Sequence, residues 1–322
     1  MQCTIWRFFI ALILANVVLI QTNGYTSDFP NKPVTLLCGF GAGGMTDLST
    51  RAIAESAKKH LGQSIVVENV TGGGGSIAAS RMVNAKADGY TVCINSPNLY
   101  LTSLLSKLPF NPRTDFTQIV QVFGNPFGIV VRSESPFPTL KDLIVYAKAN
   151  PGKLKHMTAG VGTGPQIIMT EFENVTGTKF IVIPGKSDAE ATTSLLGGHV
   201  DLLAAAMGST TPLVLAGKLR LLATLGEERA TNFPEVPTVK ELGYNVVYVS
   251  QVGIHGPKGM DEKVVQTLHD AFKKGMGEAS FLSYCDKYGV PSLYKNPADY
   301  KKYWSEECDR WENFYKKYIK KN

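Results

Sequence analysis

The strongest constraint on what this 322-residue chain can fold into is a recurring order: a short apolar run, a glycine-rich turn, then an amphipathic stretch. A strand is expected over 34–38, followed by Gly39-Phe40-Gly41-Ala42-Gly43-Gly44 and a helix over 46–60 that Gly62 ends. A strand over 65–68, a glycine turn over 72–75 and a helix over 76–84 repeat the unit, and Asp88-Gly89 turns the chain into a strand over 90–95. Such a β-α-β-α-β order implies a parallel sheet with helices on both faces. The pattern restarts with a strand at 128–131, a helix at 140–149, a third glycine turn at 160–164 and a helix ending near Thr176. Further strands are expected at 180–183, 200–205 and 219–225, with a helix at 189–196, a short helix within 232–243, and mostly helix from Val264 onward. No linker is Pro/Ser-rich or charge-blocked, so the two similar α/β halves are expected to be joined by crossing strands.

The N-terminus differs from the rest. Arg7 precedes an apolar run over 8–20, and no acidic residue appears before Asp28. A run of that length is short of the roughly 20 residues a membrane span needs. It reads as the core of a secretory signal peptide, residues 1–24, with an uncleaved anchor as the alternative. Export to a periplasmic space follows. The net charge of +6 suits steering of an anionic ligand but is too small to imply nucleic acid. Cys38, Cys93, Cys285 and Cys308 lie beyond the leader. Export permits disulfides, with Cys285–Cys308 the leading candidate pair, but the order of cysteines alone does not choose a pairing.

The first glycine turn has the form G-x-G-x-x-G between a strand and a helix, and Glu68 stands where a ribose-binding acid would. A nicotinamide-dependent enzyme is therefore one reading. The other rests on the same physics: glycines let backbone approach a ligand, and free N–H groups at a helix N-terminus attract any anion, a carboxylate included. Catalysis finds little support. His60, His156, His199, His255 and His269 are scattered without metal-ligand spacing, and Ser76 is better read as a helix cap than as a nucleophile. No cofactor, metal or catalytic residue is expected.

Several runs, taken in order, are specific. They include Phe29-Pro30-Asn31-Lys32-Pro33-Val34, the first glycine turn with Met45-Thr46-Asp47, Val67-Glu68-Asn69-Val70-Thr71-Gly72-Gly73-Gly74-Gly75, and Ala87-Asp88-Gly89-Tyr90-Thr91. Asn150-Pro151-Gly152-Lys153-Leu154, Leu195-Leu196-Gly197-Gly198-His199-Val200-Asp201 and Phe233-Pro234-Glu235-Val236-Pro237-Thr238-Val239-Lys240-Glu241-Leu242-Gly243 follow. Over nearly the whole chain after the leader the sequence resembles the tripartite tricarboxylate transporter receptors, the Bug family of periplasmic solute-binding proteins. The resemblance implies an α/β, two-lobed periplasmic-binding-protein type II fold, each lobe a mostly parallel sheet flanked by helices. Lobe 1 would comprise 25–124 plus 251–322, and lobe 2 would comprise 125–250. It also implies a carboxylate held by backbone N–H groups and waters from one loop of each lobe. Those loops are Phe40, Gly41, Ala42, Gly43, Gly44, Thr46 and Asp47 in the first, and Gly162, Thr163, Gly164 and Gln166 in the second. Gly43 and Gly162 are expected to present N–H groups to the ligand. The sequence departs from the family at Gly41-Ala42, where a proline-containing turn is common, and at Pro165-Gln166, where a histidine is frequent; both bear on the ligand and not on the fold.

The remaining candidates come from position. Ser96 and Asn98 follow a strand at the carboxyl edge, where open α/β sheets bind ligands. Lys186, Ser187 and Asp188, and Met207 and Ser209, follow other strands and are candidates for the ligand's far end. Asp47 reads either as a first-turn acid favoured by the helix dipole or as an acceptor for a ligand amine or hydroxyl. The function expected is capture of a small organic acid by a monomeric receptor and delivery to the membrane subunits of a tripartite transporter. A receptor for a membrane sensor is the alternative.

Overall fold

The computed structural model describes residues 29–160 and 162–320; the expected signal peptide, 1–24, lies outside the described residues. Strand β1 (Val34–Cys38) leads to helix α1 (Met45–Leu61), β2 (Ile65–Asn69) to α2 (Ser76–Val83), and β3 (Thr91–Asn95) to α3 (Leu99–Leu105). A long strand, β4 (Phe116–Arg132), carries the chain into the second half. There α4 (Leu140–Ala149), β5 (Lys155–Thr158), α5 (Gly164–Thr176), β6 (Ile181–Pro184), α6 (Asp188–Leu196), β7 (Leu202–Ala206), α7 (Met207–Leu215) and β8 (Leu219–Thr224) follow. Strand β9 (Val249–Pro257) returns to the first half, which α8 (Glu262–Met276), α9 (Ala279–Tyr288), β10 (Ser292–Lys295) and α10 (Pro297–Phe314) complete.

Local chemistry sets these ends. Thr139 caps α4 by accepting from the Asp142 N–H, and Asn296 caps α10 by accepting from the Asp299 N–H. Gly62, at φ +73°, closes α1 with its N–H on the Lys58 carbonyl.

In the first half β2, β1 and β3 run parallel, with Leu36 opposite both Val67 and Val92. In the second half β6, β5 and β7 run parallel, with His156 opposite both Val182 and Leu202. The halves meet on two antiparallel strands. β4 pairs with β9 from Phe116↔Pro257 to Asn125↔Ser250 and Pro126↔Val249. From Phe127 onward β4 pairs instead with β7 and β8. One continuous strand thus belongs to both halves.

Each half has its own core. Leu37, Met82, Cys93, Phe116, Tyr300, Trp304 and Cys308 pack in the first, and Val130, Met157, Leu195, Leu203 and Phe233 in the second. Helix α10 is locked to the first half by the Trp304 indole N–H on the Pro112 carbonyl at 2.9 Å and by Tyr300 Oη against His255 Nε2 at 3.0 Å. Among the described residues no helix is long and apolar enough to cross a membrane.

Three expectations need correction. The cysteines Cys38, Cys93, Cys285 and Cys308 are all free and buried; Cys308 sits in the Tyr300–Trp304 cluster, so the Cys285–Cys308 bridge does not form. No helix forms over 232–243. Thr238 and Glu241 do make reciprocal side chain to backbone bonds at 2.9 Å, but Val239 N–H is drawn to the Thr224 carbonyl and the turn does not propagate. Third, α7 starts directly at Met207, so Met207 and Ser209 are helical and not loop residues.

Two histidines are buried as neutral rings. His156 is 1% exposed, packs edge-on to Phe180, and makes no well-formed bond from either ring nitrogen. Burial pushes its pKa down to about 4, and pushes that of His255 down to about 3. An unfolded imidazole takes its proton near pH 6.5, so in the window below that the unfolded chain binds more protons than the folded one. Stability is therefore full above that value and falls as pH drops toward 4. Replacing His156 by leucine should remove about 2 kcal/mol of the stability lost between pH 7.5 and pH 5. Urea unfolding midpoints of both proteins at the two pH values check it; equal pH dependence would mean that His156 is not held neutral.

Candidate ligand-binding cleft

The strand crossing makes the floor of a small cavity, about 40 Å³ in volume, between the halves. Asn125 and Phe127 contribute from β4, and Ser250 and Val252 from β9. The first half adds Phe40 and Thr46 around the start of α1, and Asn95, Ser96 and Asn98 at the carboxyl end of β3. The second half adds Ala159, Thr163, Gly164 and Pro165 at the start of α5, and Asp188 at the start of α6. The parallel strands of both halves point their carboxyl ends here, which is where α/β sheets leave room for ligands.

Two helix N-termini converge on this cavity from opposite halves. Among the described residues, no protein group accepts from the backbone N–H of Thr46 or Asp47 in α1, or of Gly164 or Gln166 in α5. Such first-turn donors, with the positive end of the helix dipole, favour an anion. The N–H groups of Gly43 and Gly162 are another matter, and here the expectation is corrected. Gly43 N–H donates to Asp47 Oδ2 at 2.9 Å, and Gly162 N–H donates to Gln166 Oε1 at 2.6 Å. Each helix caps its own approach loop with a side chain from its first turn, so these two amides are consumed internally. The same geometry removes Asp47 and Gln166 from the cavity lining.

Asp47 is 1% exposed and fully engaged. It also accepts from Arg51 Nε at 3.0 Å and Asn69 Nδ2 at 2.8 Å. Burial alone would raise its pKa, but the Arg51, Asn69 and Gly43 hydrogen bonds outweigh it and hold the carboxyl below its usual range. It organises the loop. Glu68 lies away from the cavity, in an ion pair with Arg81. The glycines around it serve close packing: a Cβ on Gly39 would stand 2.5 Å from the Gly75 Cα, so the first two glycine turns are in direct contact.

The halves touch across the cavity. Asn98 Nδ2 donates to the Gly162 carbonyl at 2.8 Å. A Cβ on Gly41 would lie 3.1 Å from Ser187 Cβ, and one on Gly160 would lie 3.5 Å from Gly74 N. These backbone approaches close the mouth. A cavity this size accommodates little beyond water, so a ligand of several carbons enters only when the halves part.

Of the other residues singled out from sequence, Gly41, Ala42, Gly43, Gly44, Gly162 and Ser187 belong to the loops around the cavity without lining it. Lys186 is exposed, and only its backbone N–H is engaged, by Glu190. Met207 packs in the second core, and the Ser209 hydroxyl donates back to the Ala206 carbonyl. Sequence reading missed Asn95, Asn125, Phe127, Ala159, Ser250 and Val252, and had Pro165 only as part of the second loop. Asn95 obeys the same strand-end rule as Ser96. Asn125 and Ser250 are polar positions on strands that carry several others, and only the crossing brings the two together into a site.

The sequence matches the family described as tripartite tricarboxylate transporter family receptor over residues 49–319. It is 41% identical to a UPF0065 protein from the gbd 5' region of Cupriavidus necator, over 86% of this chain and 85% of that one. The fold is similar to that of the periplasmic binding protein BugD, with TM-score 0.86 and 30% identity over 90% of this chain and 98% of BugD. MatC from Rhodopseudomonas palustris, solved with bound malate, is similar at TM-score 0.85 and 26% identity, over 89% of this chain and 99% of MatC.

The two loop glycines are predicted to differ when substituted. Gly43, at φ +78°, has nothing within 4 Å of a Cβ, so Gly43→Ala meets backbone strain alone, about 1–2 kcal/mol of stability. Gly162, at φ +72°, would place a Cβ 3.0 Å from the Thr102 Cα and N, so Gly162→Ala also wedges the halves apart. Small-angle scattering should show a larger radius of gyration for Gly162→Ala than for Gly43→Ala or wild type. Identical scattering from all three would remove Gly162 from the closing contact.

Proposed function

The chain belongs to the tripartite tricarboxylate transporter receptor family of solute-binding proteins, and on that basis we propose that it captures a small carboxylate between two lobes in the periplasm and delivers it to the membrane subunits of a tripartite transporter. The observation that carries this reading is the convergence of the α1 and α5 N-termini on one cavity, with the amides of Thr46, Asp47, Gly164 and Gln166 free of protein partners. A carboxylate placed there draws charge-assisted hydrogen bonds from both halves at once. Its binding therefore favours the closed arrangement over the open one.

The lobes divide where β4 and β9 cross, near Asn125 and Ser250. Lobe 1 is then 25–124 with 251–322, and lobe 2 is 125–250. A hinge at a two-strand crossing lets the halves rotate with little loss of packing inside either core. The ligand contacts fall to Phe40, Thr46, Ser96, Asn98, Thr163 and Gly164, with Asn125 and Ser250 at the floor. The loop residues Gly41, Ala42, Gly43, Gly44, Gly162 and Ser187 shape the closing surfaces.

A thermal-shift screen tests the proposal by setting small carboxylic acids against their primary amides, which have the same shape without the charge. An acid at a hundredfold excess over its Kd should stabilise the protein by about 2.7 kcal/mol, and its amide should not. If no acid raises the melting temperature, or the amides do so equally, the carboxylate-receptor reading is wrong.

A further inference from the structure

One acidic side chain also lines the cavity. Asp188 is the one titratable side chain among the described residues that line the cavity, and no lysine, arginine or histidine lines it. The residue is half-buried and lines the cleft, and no hydrogen bond or ion pair within the protein engages its carboxyl. Desolvation without compensation raises its pKa to about 6, a value that still leaves it mostly ionised at neutral pH. Its neighbours on α6 do not help: Ser187 caps Glu190 N–H, and the Glu190 carboxylate is occupied by the Lys186 N–H.

An independent observation points the same way. Asn125 is 4% exposed, lines the same cavity from the crossing strand, and its Oδ1 has no hydrogen-bond donor. A buried acceptor left unsatisfied is costly. The cavity thus offers unengaged N–H donors at the α1 and α5 N-termini and an unengaged acceptor at Asp188, while the Asn125 Oδ1 is enclosed without a donor. A dicarboxylate satisfies the donors but brings a second negative charge toward Asp188, with no lining cation to offset it. A protonated amine supplies what Asp188 lacks: a positive charge and several N–H donors on one atom.

Building on the receptor reading, we propose that Asp188, with Asn125, is the specificity-determining acceptor for a protonated amine, and that the ligand of this chain is a small amino-acid zwitterion. The carboxylate lies at the two helix N-termini and the ammonium lies at Asp188.

The test is calorimetric titration of wild type and Asp188→Asn with glycine, L-alanine and ω-amino acids of increasing length, each matched to the monocarboxylate and the dicarboxylate of the same length. Asparagine keeps the shape and removes the charge; circular dichroism confirms folding, and Asp188→Ser is the second variant. An amino acid should bind wild type more tightly than its matched mono- and dicarboxylate. Asp188→Asn and Asp188→Ser should each weaken it by about tenfold or more, while the dicarboxylate gains affinity in both. A dicarboxylate that outcompetes every amino acid on wild type, or an amino acid whose affinity the Asp188 variants leave unchanged, overturns the assignment while leaving the receptor reading intact. If no carboxylate of any kind binds, the receptor reading falls first and this assignment falls with it.

Discussion

The antiparallel pairing of β4 with β9 is the contact on which the rest of the architecture depends. It joins Phe116↔Pro257 at one end to Pro126↔Val249 at the other, and β4 then changes partners to β7 and β8. Two sets of parallel strands, each with its own core, are thereby joined through one crossing and touch elsewhere through a few contacts across the cleft. The parallel strands on either side all end toward that crossing. A cavity with backbone donors on two walls follows from the topology before any particular side chain is considered.

Closure relies on backbone approaching backbone. Gly41 against Ser187 and Gly162 against Thr102 are contacts that a side chain on either glycine would push apart, while Gly160 and Gly74 meet at ordinary packing distance. Asn98 adds one directional bond between the halves at the Gly162 carbonyl. Small contacts of this kind suit a surface that must open and shut, since little apolar area is lost when the halves part. The loops themselves are kept rigid from within their own half. Asp47 and Gln166 hold the amides of Gly43 and Gly162, while the amides of Thr46 and Gly164, two residues that line the cavity, keep no protein partner.

The electrostatics of the cavity are asymmetric. Helix N-termini with unpaired amides attract negative charge, and the same cavity is lined by the unpaired carboxyl of Asp188. Asp47 and Asp188 are both first-turn acids on helices at the cleft, yet they behave oppositely. Asp47 is surrounded by Arg51, Asn69 and Gly43 and held below the usual carboxylate range, whereas Asp188 has no such partners and is raised by desolvation. Partner geometry, and not residue type or helix position, separates a scaffold acid from one left to face a ligand.

The local elements were legible in the sequence because their determinants are local. The strand over Val34–Cys38 and the helix over Leu140–Ala149 have the bounds that apolar period, Thr139 and the following Pro151 indicate. The glycine turns marked the loops that flank the cleft; Ser96, Asn98 and Asp188, singled out by strand-end position, line it, as do Phe40, Thr46, Thr163 and Gly164 from the two loops that the family resemblance implied. What the sequence could not show depends on partners far along the chain. Residues 116–126 carry mixed signals and become strand because β9, and at Gln121 and Phe123 also β10, pair with them, and Asn125 and Ser250 meet at the β9 pairing. Cys285 and Cys308 stay apart because α10 turns Cys308 into the core of the first half. Whether Gly43 and Gly162 offered their amides outward, and which of the two acids was left unpaired, was likewise decided by tertiary geometry. A hydrogen bond needs both partners placed in space, and a sequence motif places only one.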